Sequence, residues 1–175
     1  MSFFELARRR FSVRQFEARK VEQEKLDIIL EAGRIAPTAA NRQPQRILVV
    51  QSEEGLEKAS RAARIHGAPL LLIVCADRNL AWRRAADGSD SVYIDASIVT
   101  DHMMLAATDL GLGSLWICGF RPDALRQEFD IPEHLVPVNI LAIGYNAGPV
   151  ASPDRHAEKR LPREQTVFYE EFPRG

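Results

Sequence analysis

Two arginines and a serine alternate in Arg10-Phe-Ser-Val-Arg14. An extended backbone turns alternate residues to one side, so Arg10, Ser12 and Arg14 would face the same way. Guanidinium forks bind phosphate through paired hydrogen bonds and also donate to the carbonyl oxygens of a planar ring. Arg8, Arg9, Arg10, Arg14, Arg19 and Lys20 crowd the first 20 residues, against Glu5 and Glu17 alone. That crowding fits two readings: an anion site, or a solvated helix end whose cations complement the negative pole of the helix dipole. A second stretch, Ala36-Pro-Thr-Ala-Ala-Asn-Arg-Gln-Pro-Gln45, combines small residues, two prolines that fix the backbone and the amides of Asn41 and Gln43. It reads either as a ligand-facing loop or as a plain helix-to-strand connection. In the third stretch, Gly111-Leu-Gly-Ser-Leu-Trp-Ile-Cys-Gly-Phe120, glycines flank an apolar strand. Glycine after a strand lets a ligand approach the backbone, and it also simply makes turns.

Other chemistries find no support. Gly111-Leu-Gly-Ser-Leu-Trp116 lacks the third glycine of a dinucleotide fingerprint, and it follows a helix where that motif follows a strand. His66, His102, His134 and His156 show no zinc-ligand spacing. No nucleophile elbow or phosphate-binding Gly-Lys-Ser/Thr loop occurs. Cys75 and Cys118 are too few for a disulfide scaffold, and Cys75 lies in an apolar strand pattern as a small hydrophobe. With 23 basic and 24 acidic residues, the net charge of -1 argues against bulk nucleic-acid or membrane-surface binding. The longest apolar run, Ala68 to Ala76, falls well short of the roughly 20 residues of a membrane helix. Arginines at positions 8–10 stand where a signal peptide would need its apolar stretch, so the expectation is a cytoplasmic protein in a reducing compartment.

The elements that must position these stretches can be read from periodicity. The 175 residues, 46% hydrophobic, suit a single domain with an adequate core. Ser2 and Glu5 form a capping-box pattern for a helix to about Arg9. Leu26, Ile29, Leu30 and Gly33 recur at helical spacing between about Glu22 and Ile35. Strands are expected at Arg46–Val50, Leu70–Ala76, Ser114–Cys118 and Val138–Ile143. Helices are expected at about 53–64 and from Pro122 to Phe129, with 77–91 as a loop or short surface helix. The segment from about Ser91 to Leu110 is a helix apolar on several faces, hence buried on several faces, one of which a second subunit could cover. Val167, Phe168, Tyr169 and Phe172 form a late apolar patch suited to an arm docked on a neighbour. The fold class is α+β, in layers.

Taken in order, these pieces resemble the nitroreductase family of flavin-dependent oxidoreductases across nearly the whole chain. Arg10-Phe-Ser-Val-Arg-Gln-Phe16 is similar to the family's opening Arg-x-Ser-x-Arg-x-Phe. Ala36-Pro-Thr-Ala-Ala-Asn-Arg-Gln-Pro44 is similar to Ala-Pro-Ser-x-x-Asn-x-Gln-Pro. Asp95-Ala-Ser-Ile98 through Leu110-Gly-Leu-Gly113, Trp116-Ile-Cys-Gly-Phe120 and Leu141-Ala-Ile-Gly-Tyr145 resemble the core helix and later strands.

The resemblance implies a layered α/β/α fold with a central, mainly antiparallel sheet, in an intertwined homodimer holding FMN at sites shared between subunits. It implies that Arg10 and Ser12 hold the phosphate and ribityl side, with Arg14 at the pyrimidine edge as an electrostatic stabiliser of reduced flavin. Pro37, Thr38, Ala39 and Asn41 would reach the flavin from the other subunit. Ile117, Cys118 and Gly119 would supply backbone around the ring, and Arg160 would close on the phosphate. Thr38 stands where serine is common, Gln45 where an aromatic is frequent, His102 where asparagine is frequent, and Glu158 where some members place a cation. The implied reaction passes hydride from NAD(P)H to a nitroaromatic, a quinone or a similar small acceptor in a ping-pong cycle, with no protein nucleophile and no metal. A flavin store or sensor without turnover is the alternative. The domain would span 1–175, with about 146–175 as a C-terminal arm on the partner.

Overall fold

Leu70–Asp77 is apolar without a break, and every one of its residues is buried. The reason is its place in the sheet, because this strand, β2, is flanked on both sides and covered on both faces. In the computed structural model, which describes residues 1–173, the strands are β1 (Gln45–Val50), β2, β3 (Gly113–Ile117) and β4 (Leu135–Gly144). They lie in the order β1-β2-β4-β3, with every neighbouring pair antiparallel. The helices are α1 (Phe3–Arg9), α2 (Gln23–Arg34), α3 (Glu53–Ala62), α4 (Val92–Asp109), α5 (Pro122–Phe129) and α6 (Arg155–Lys159).

Alternation along β2 divides the core into two layers. Leu70, Leu72, Val74 and Ala76 pack with Leu26 and Ile29 of α2 and with Val99 and Met103 of α4. Leu71, Ile73 and Cys75 pack with Ala59 and Ala62 of α3 and Leu125 of α5. This is the expected α/β/α layering around an antiparallel sheet. Burial pushes the Cys75 thiol up to about 11, so it stays neutral.

Local signals account for most boundaries. Ser2 accepts from the Glu5 N–H while Glu5 reaches back to the Ser2 N–H, completing the capping box of α1. Ser52 caps α3 from one side only, its Oγ accepting from the Gly55 N–H. Strand β4 begins at Leu135, three residues before the expected start at Val138. Pro137 obscured it, since proline marks a strand as peripheral. The register shifts between Val74 and Cys75, and Pro137 sits beside that bulge, beyond the last β3 pair at Ile140. There its missing N–H costs no β3 ladder bond.

Thr100 makes one polar contact within α4 and one that fixes the helix on the sheet. Buried Thr100 donates to the Ala96 carbonyl (2.7 Å), and buried Asn139 of β4 donates Nδ2–H to Thr100 Oγ1 (3.0 Å). At the first turn of α4, Tyr93 and Ile94 remain 61% and 58% exposed, so this helix still carries uncovered apolar surface. Among the described residues no helix is long and apolar enough to cross a membrane.

A charged cluster ties the chain after β4 to the start of α2. The Tyr145 hydroxyl donates to Glu22 (2.6 Å), Lys25 donates to that hydroxyl (2.9 Å), and the Arg19 guanidinium lies 3.9 Å from the Tyr145 ring centre. The Tyr145 hydrogen bond, a backbone hydrogen bond and Arg19 together lower Glu22 to about 2. A carboxylate lowered in the folded state adds stability above its unfolded value, and that stability is lost as pH falls through the folded value. Wild-type protein is therefore expected to lose stability between about pH 4.5 and pH 2 through this group. Tyr145→Phe should flatten that dependence in urea titrations at several pH values. An unchanged pH slope would show that Glu22 is not held by this bond.

Candidate functional site

The stretch from Phe11 to Glu17 runs along the edge of the sheet and is pinned three times. Val13 donates to the Ser114 carbonyl, Glu17 to the Tyr145 carbonyl, and Ala147 to the Gln15 carbonyl, each at 2.9 Å. Ser12 bridges Ser114 in parallel fashion, so the segment is extended as expected. Val13 is buried while Ser12 and Arg14 on either side of it are exposed. Gly113 permits this close approach, because a Cβ there would lie 2.6 Å from Val13 Cγ2. Ser12 and Arg14 thereby line a groove of about 320 Å³ with Asn146, Gly148 and Val150, and the Arg14 guanidinium reaches the Ser12 carbonyl.

Arg10 lies just upstream in a cavity of about 500 Å³ whose walls include Phe4, Arg8, His156 and Arg160. It is half-buried, and it makes no side-chain hydrogen bond or ion pair among the described residues. Burial lowers its pKa, and the Arg155 and Arg160 guanidiniums lower it further, with Asp101 acting weakly the other way. A half-buried cation with two cationic neighbours is an unfavourable arrangement unless an anion joins it. Arg155 itself is committed to structure. Its Nη1 donates to the Arg8 carbonyl (3.1 Å) and its Nη2 to the Arg10 carbonyl, so α6 is fastened to the end of α1. Arg8 and Asp154 add an ion pair at the same seam. Arg155 carried no sequence signal of its own, because only the folded chain brings it beside Arg10. The orphan hydroxyl of Ser114, buried without a partner, marks the same region.

The Pro37–Gln45 stretch lies elsewhere. It forms a single 3-10 turn, Ala39–Asn41, in which Ala40 and Asn41 have φ of 49° and 53°; Gln43 follows at 50°. Left-handed backbone at non-glycine residues costs energy and persists only where surrounding groups enforce it. Three contacts do so here. The Ala39 N–H donates to Asp95 Oδ1 (2.8 Å), the Gln43 N–H to Thr38 Oγ1 (3.1 Å), and Arg46 to the Gln43 carbonyl (3.2 Å). Asp95 is fully buried in the first turns of α4. A carboxylate among the apolar residues of the first turns of α4 must find partners, and that was its available sequence signal.

The chain thus assembles the site in two parts. Arg10 and Arg160 share one cavity; Ser12 and Arg14 line the adjoining groove; Ser114 connects that groove to Ile117, Cys118 and Gly119 at the far end of β3. Cys118 and Gly119 are exposed, and nothing lies within 4 Å of where a Gly119 Cβ would be, which leaves that backbone open to a ligand. Pro37, Thr38, Ala39 and Asn41 are not brought to this group. They hang from Asp95, whereas Ser12 hangs from the strand that follows the other end of α4. At about 1.5 Å rise per residue, those anchor points are roughly 20 Å apart along the helix. Among the described residues no cluster of three or more His, Cys, Asp or Glu side chains could hold a metal.

The chain is similar to known proteins at the level of family, sequence and fold. The sequence description of the Nitroreductase family matches residues 7–66 and 56–145. The FMN reductase [NAD(P)H] of Bacillus subtilis is 34% identical over 181 residues, covering 92% of this chain and 70% of that protein. An NADH dehydrogenase of Thermus thermophilus is 29% identical and covers 93% of each chain. A crystal structure of a nitroreductase family protein from Clostridium difficile superposes with a TM-score of 0.97 at 51% identity, covering 98% of this chain and 100% of that one.

Proposed function

The chain belongs to the nitroreductase family, and from that membership we propose that it is an FMN-dependent NAD(P)H oxidoreductase acting as a homodimer. The observation that carries the cofactor reading is Arg10. A half-buried guanidinium beside Arg155 and Arg160, in a cavity open to solvent, is complementary to a phosphate dianion. The B. subtilis relative is named for FMN and NAD(P)H, which supports the same assignment.

FMN, when bound, would supply the redox chemistry for passing hydride from NAD(P)H to a nitroaromatic, a quinone or a similar acceptor in a ping-pong cycle. The protein's residues bind and tune it. Arg10 and Arg160 hold the phosphate, and the Ser12 hydroxyl holds the ribityl chain. Arg14 places positive charge at the pyrimidine edge, where it favours added electron density on the ring. The backbone of Ile117, Cys118 and Gly119, exposed at the last two, would line the ring.

Pro37, Thr38, Ala39 and Asn41 are assigned to the site from a second copy, since in their own chain they line neither the Arg10 cavity nor the Ser12 groove. Uncovered apolar side chains are available for that pairing: Phe3 and Phe4 at one terminus, Tyr169 and Phe172 at the other. The C-terminal arm divides accordingly. Residues 155–160 fasten to α1 of their own chain, and residues 161–173 are the part we assign to the partner. The last two residues of the expected 146–175 arm lie outside those described.

Purified protein should take up FMN; NADH or NADPH should bleach the bound flavin, and 1,4-benzoquinone should restore its colour. Failure to take up FMN contradicts the reading. Uptake without bleaching would instead identify a flavin store or sensor.

A further inference from the structure

Two segments on different parts of the chain are joined by an unbroken line of hydrogen bonds through a buried carboxylate. The Trp82 N–H donates to Ser91 Oγ (3.1 Å), the Ser91 hydroxyl donates to Asp95 Oδ2 (2.7 Å), and Asp95 Oδ1 accepts from the Ala39 N–H (2.8 Å). Ser91 and Asp95 are both buried, at 2% and 0% exposure, while the Trp82 ring stands partly in solvent. At one end of the line is the 78–91 loop, closed on itself by the Arg83–Asp90 bridge. At the other is the left-handed turn at Ala40, Asn41 and Gln43. Ser91 does not act as a helix cap, since its side chain makes no cap hydrogen bond at α4. Its hydroxyl serves the line instead, and so does the cost of keeping a carboxylate away from water.

We propose that Asp95 is a positioning residue that holds the strained 39–43 turn through Ala39 and, through Ser91, locks Trp82 to it, so that the Trp82 indole forms one wall for planar aromatic electron acceptors. The proposal rests on the flavin-site reading given above. If Asn41 and its neighbours approach the flavin, the same hydrogen-bond line brings Trp82 beside the turn that makes that approach. An exposed indole presents a flat apolar face suited to stacking a quinone or nitroaromatic ring. Moving the 78–91 loop then alters acceptor binding while leaving the phosphate end of the site untouched.

Kinetics of the FMN-loaded protein separate these roles. Ser91→Ala cuts the side-chain line between Trp82 and Asp95 but leaves the backbone bond from the residue 91 N–H to the Trp82 carbonyl (2.9 Å) and the Asp95–Ala39 bond. It removes two hydrogen bonds of the hydroxyl and is expected to raise KM for 1,4-benzoquinone about 3- to 10-fold, with kcat little changed. Ferricyanide, which has no aromatic face to stack, should be reduced as fast as by wild type, and FMN Kd should stay within about twofold. Asp95→Ala removes both bonds and should weaken FMN binding as well as acceptor binding. If that variant does not fold, Trp82→Ala, which removes the indole and keeps both Asp95 bonds, should reproduce the Ser91→Ala pattern. Wild-type protein that takes up no FMN would overturn the flavin reading and this inference together. Wild-type protein that binds FMN, with an unchanged benzoquinone KM in Ser91→Ala and Trp82→Ala, would overturn this inference alone. A ferricyanide rate that falls as far as the quinone rate would do the same, since it would show a general structural effect.

Discussion

Arg10→Ala is expected to weaken FMN binding by about 10- to 100-fold, the effect of losing a charge-assisted contact of roughly 1.5–3 kcal/mol. The size follows from where Arg10 sits. It is half-buried and unpaired among the described residues, so a bound phosphate meets a cation that has already surrendered part of its hydration. Arg160, exposed on the same cavity, should give a smaller loss because its charge stays screened by water. The apo proteins should differ in the opposite sense. Burial and the repulsion from Arg155 and Arg160 both disfavour the charged Arg10, so apo Arg10→Ala should be no less stable than apo wild type. The thermal stabilisation produced by saturating FMN, which reports binding to the native state, should shrink in the variant. Equal FMN affinity in both proteins would remove Arg10 from the phosphate site.

The second large effect concerns the division of the site between copies. Asn41→Leu removes an amide and asks a branched side chain to adopt a φ of 53°, a region that asparagine tolerates far better. Homodimers of Asn41→Leu and of Arg10→Ala should each bind FMN poorly. Co-expressing the two chains should recover binding, because a mixed dimer unites the intact Arg10 of one chain with the intact turn of the other. Each mixed dimer then has one site carrying both lesions and one carrying neither. Random pairing restores about a quarter of all sites, as two-fold symmetry requires. Recovery should be read as tightly bound FMN per chain in the mixed preparation. No recovery would place the turn and Arg10 in sites that do not cooperate, and the shared-site reading would fall.

Much of this arrangement is legible in the chain before folding, and the exceptions have physical causes. The Leu70–Ala76 run reveals a strand buried on both faces because only such a strand can be apolar at both parities. The Ser12-x-Arg14 half of the alternation survives in the extended segment, with Val13 turned inward between the two polar residues, while Arg10 lines a separate cavity upstream. Pro137 hides the start of β4, because a proline is acceptable there only by virtue of a bulge that the sequence does not announce. The left-handed turn at Ala40, Asn41 and Gln43 is hidden for a similar reason. None of these residues is glycine, and the turn is enforced by Asp95, more than fifty positions away. Arg155 was missed because its task, donating to the carbonyls of Arg8 and Arg10, depends wholly on tertiary contact. Motif residues that touch ligand leave a local pattern; residues that hold those residues in place leave none.

The central claim is that two copies of this chain build an FMN site that neither builds alone. Light scattering of the FMN-titrated protein, read together with the absorbance of tightly bound flavin, tests it most directly. The account predicts a particle of twice the chain mass carrying one FMN per chain, with flavin lost when dilution separates the copies. A monomer that retains FMN at full occupancy would contradict it.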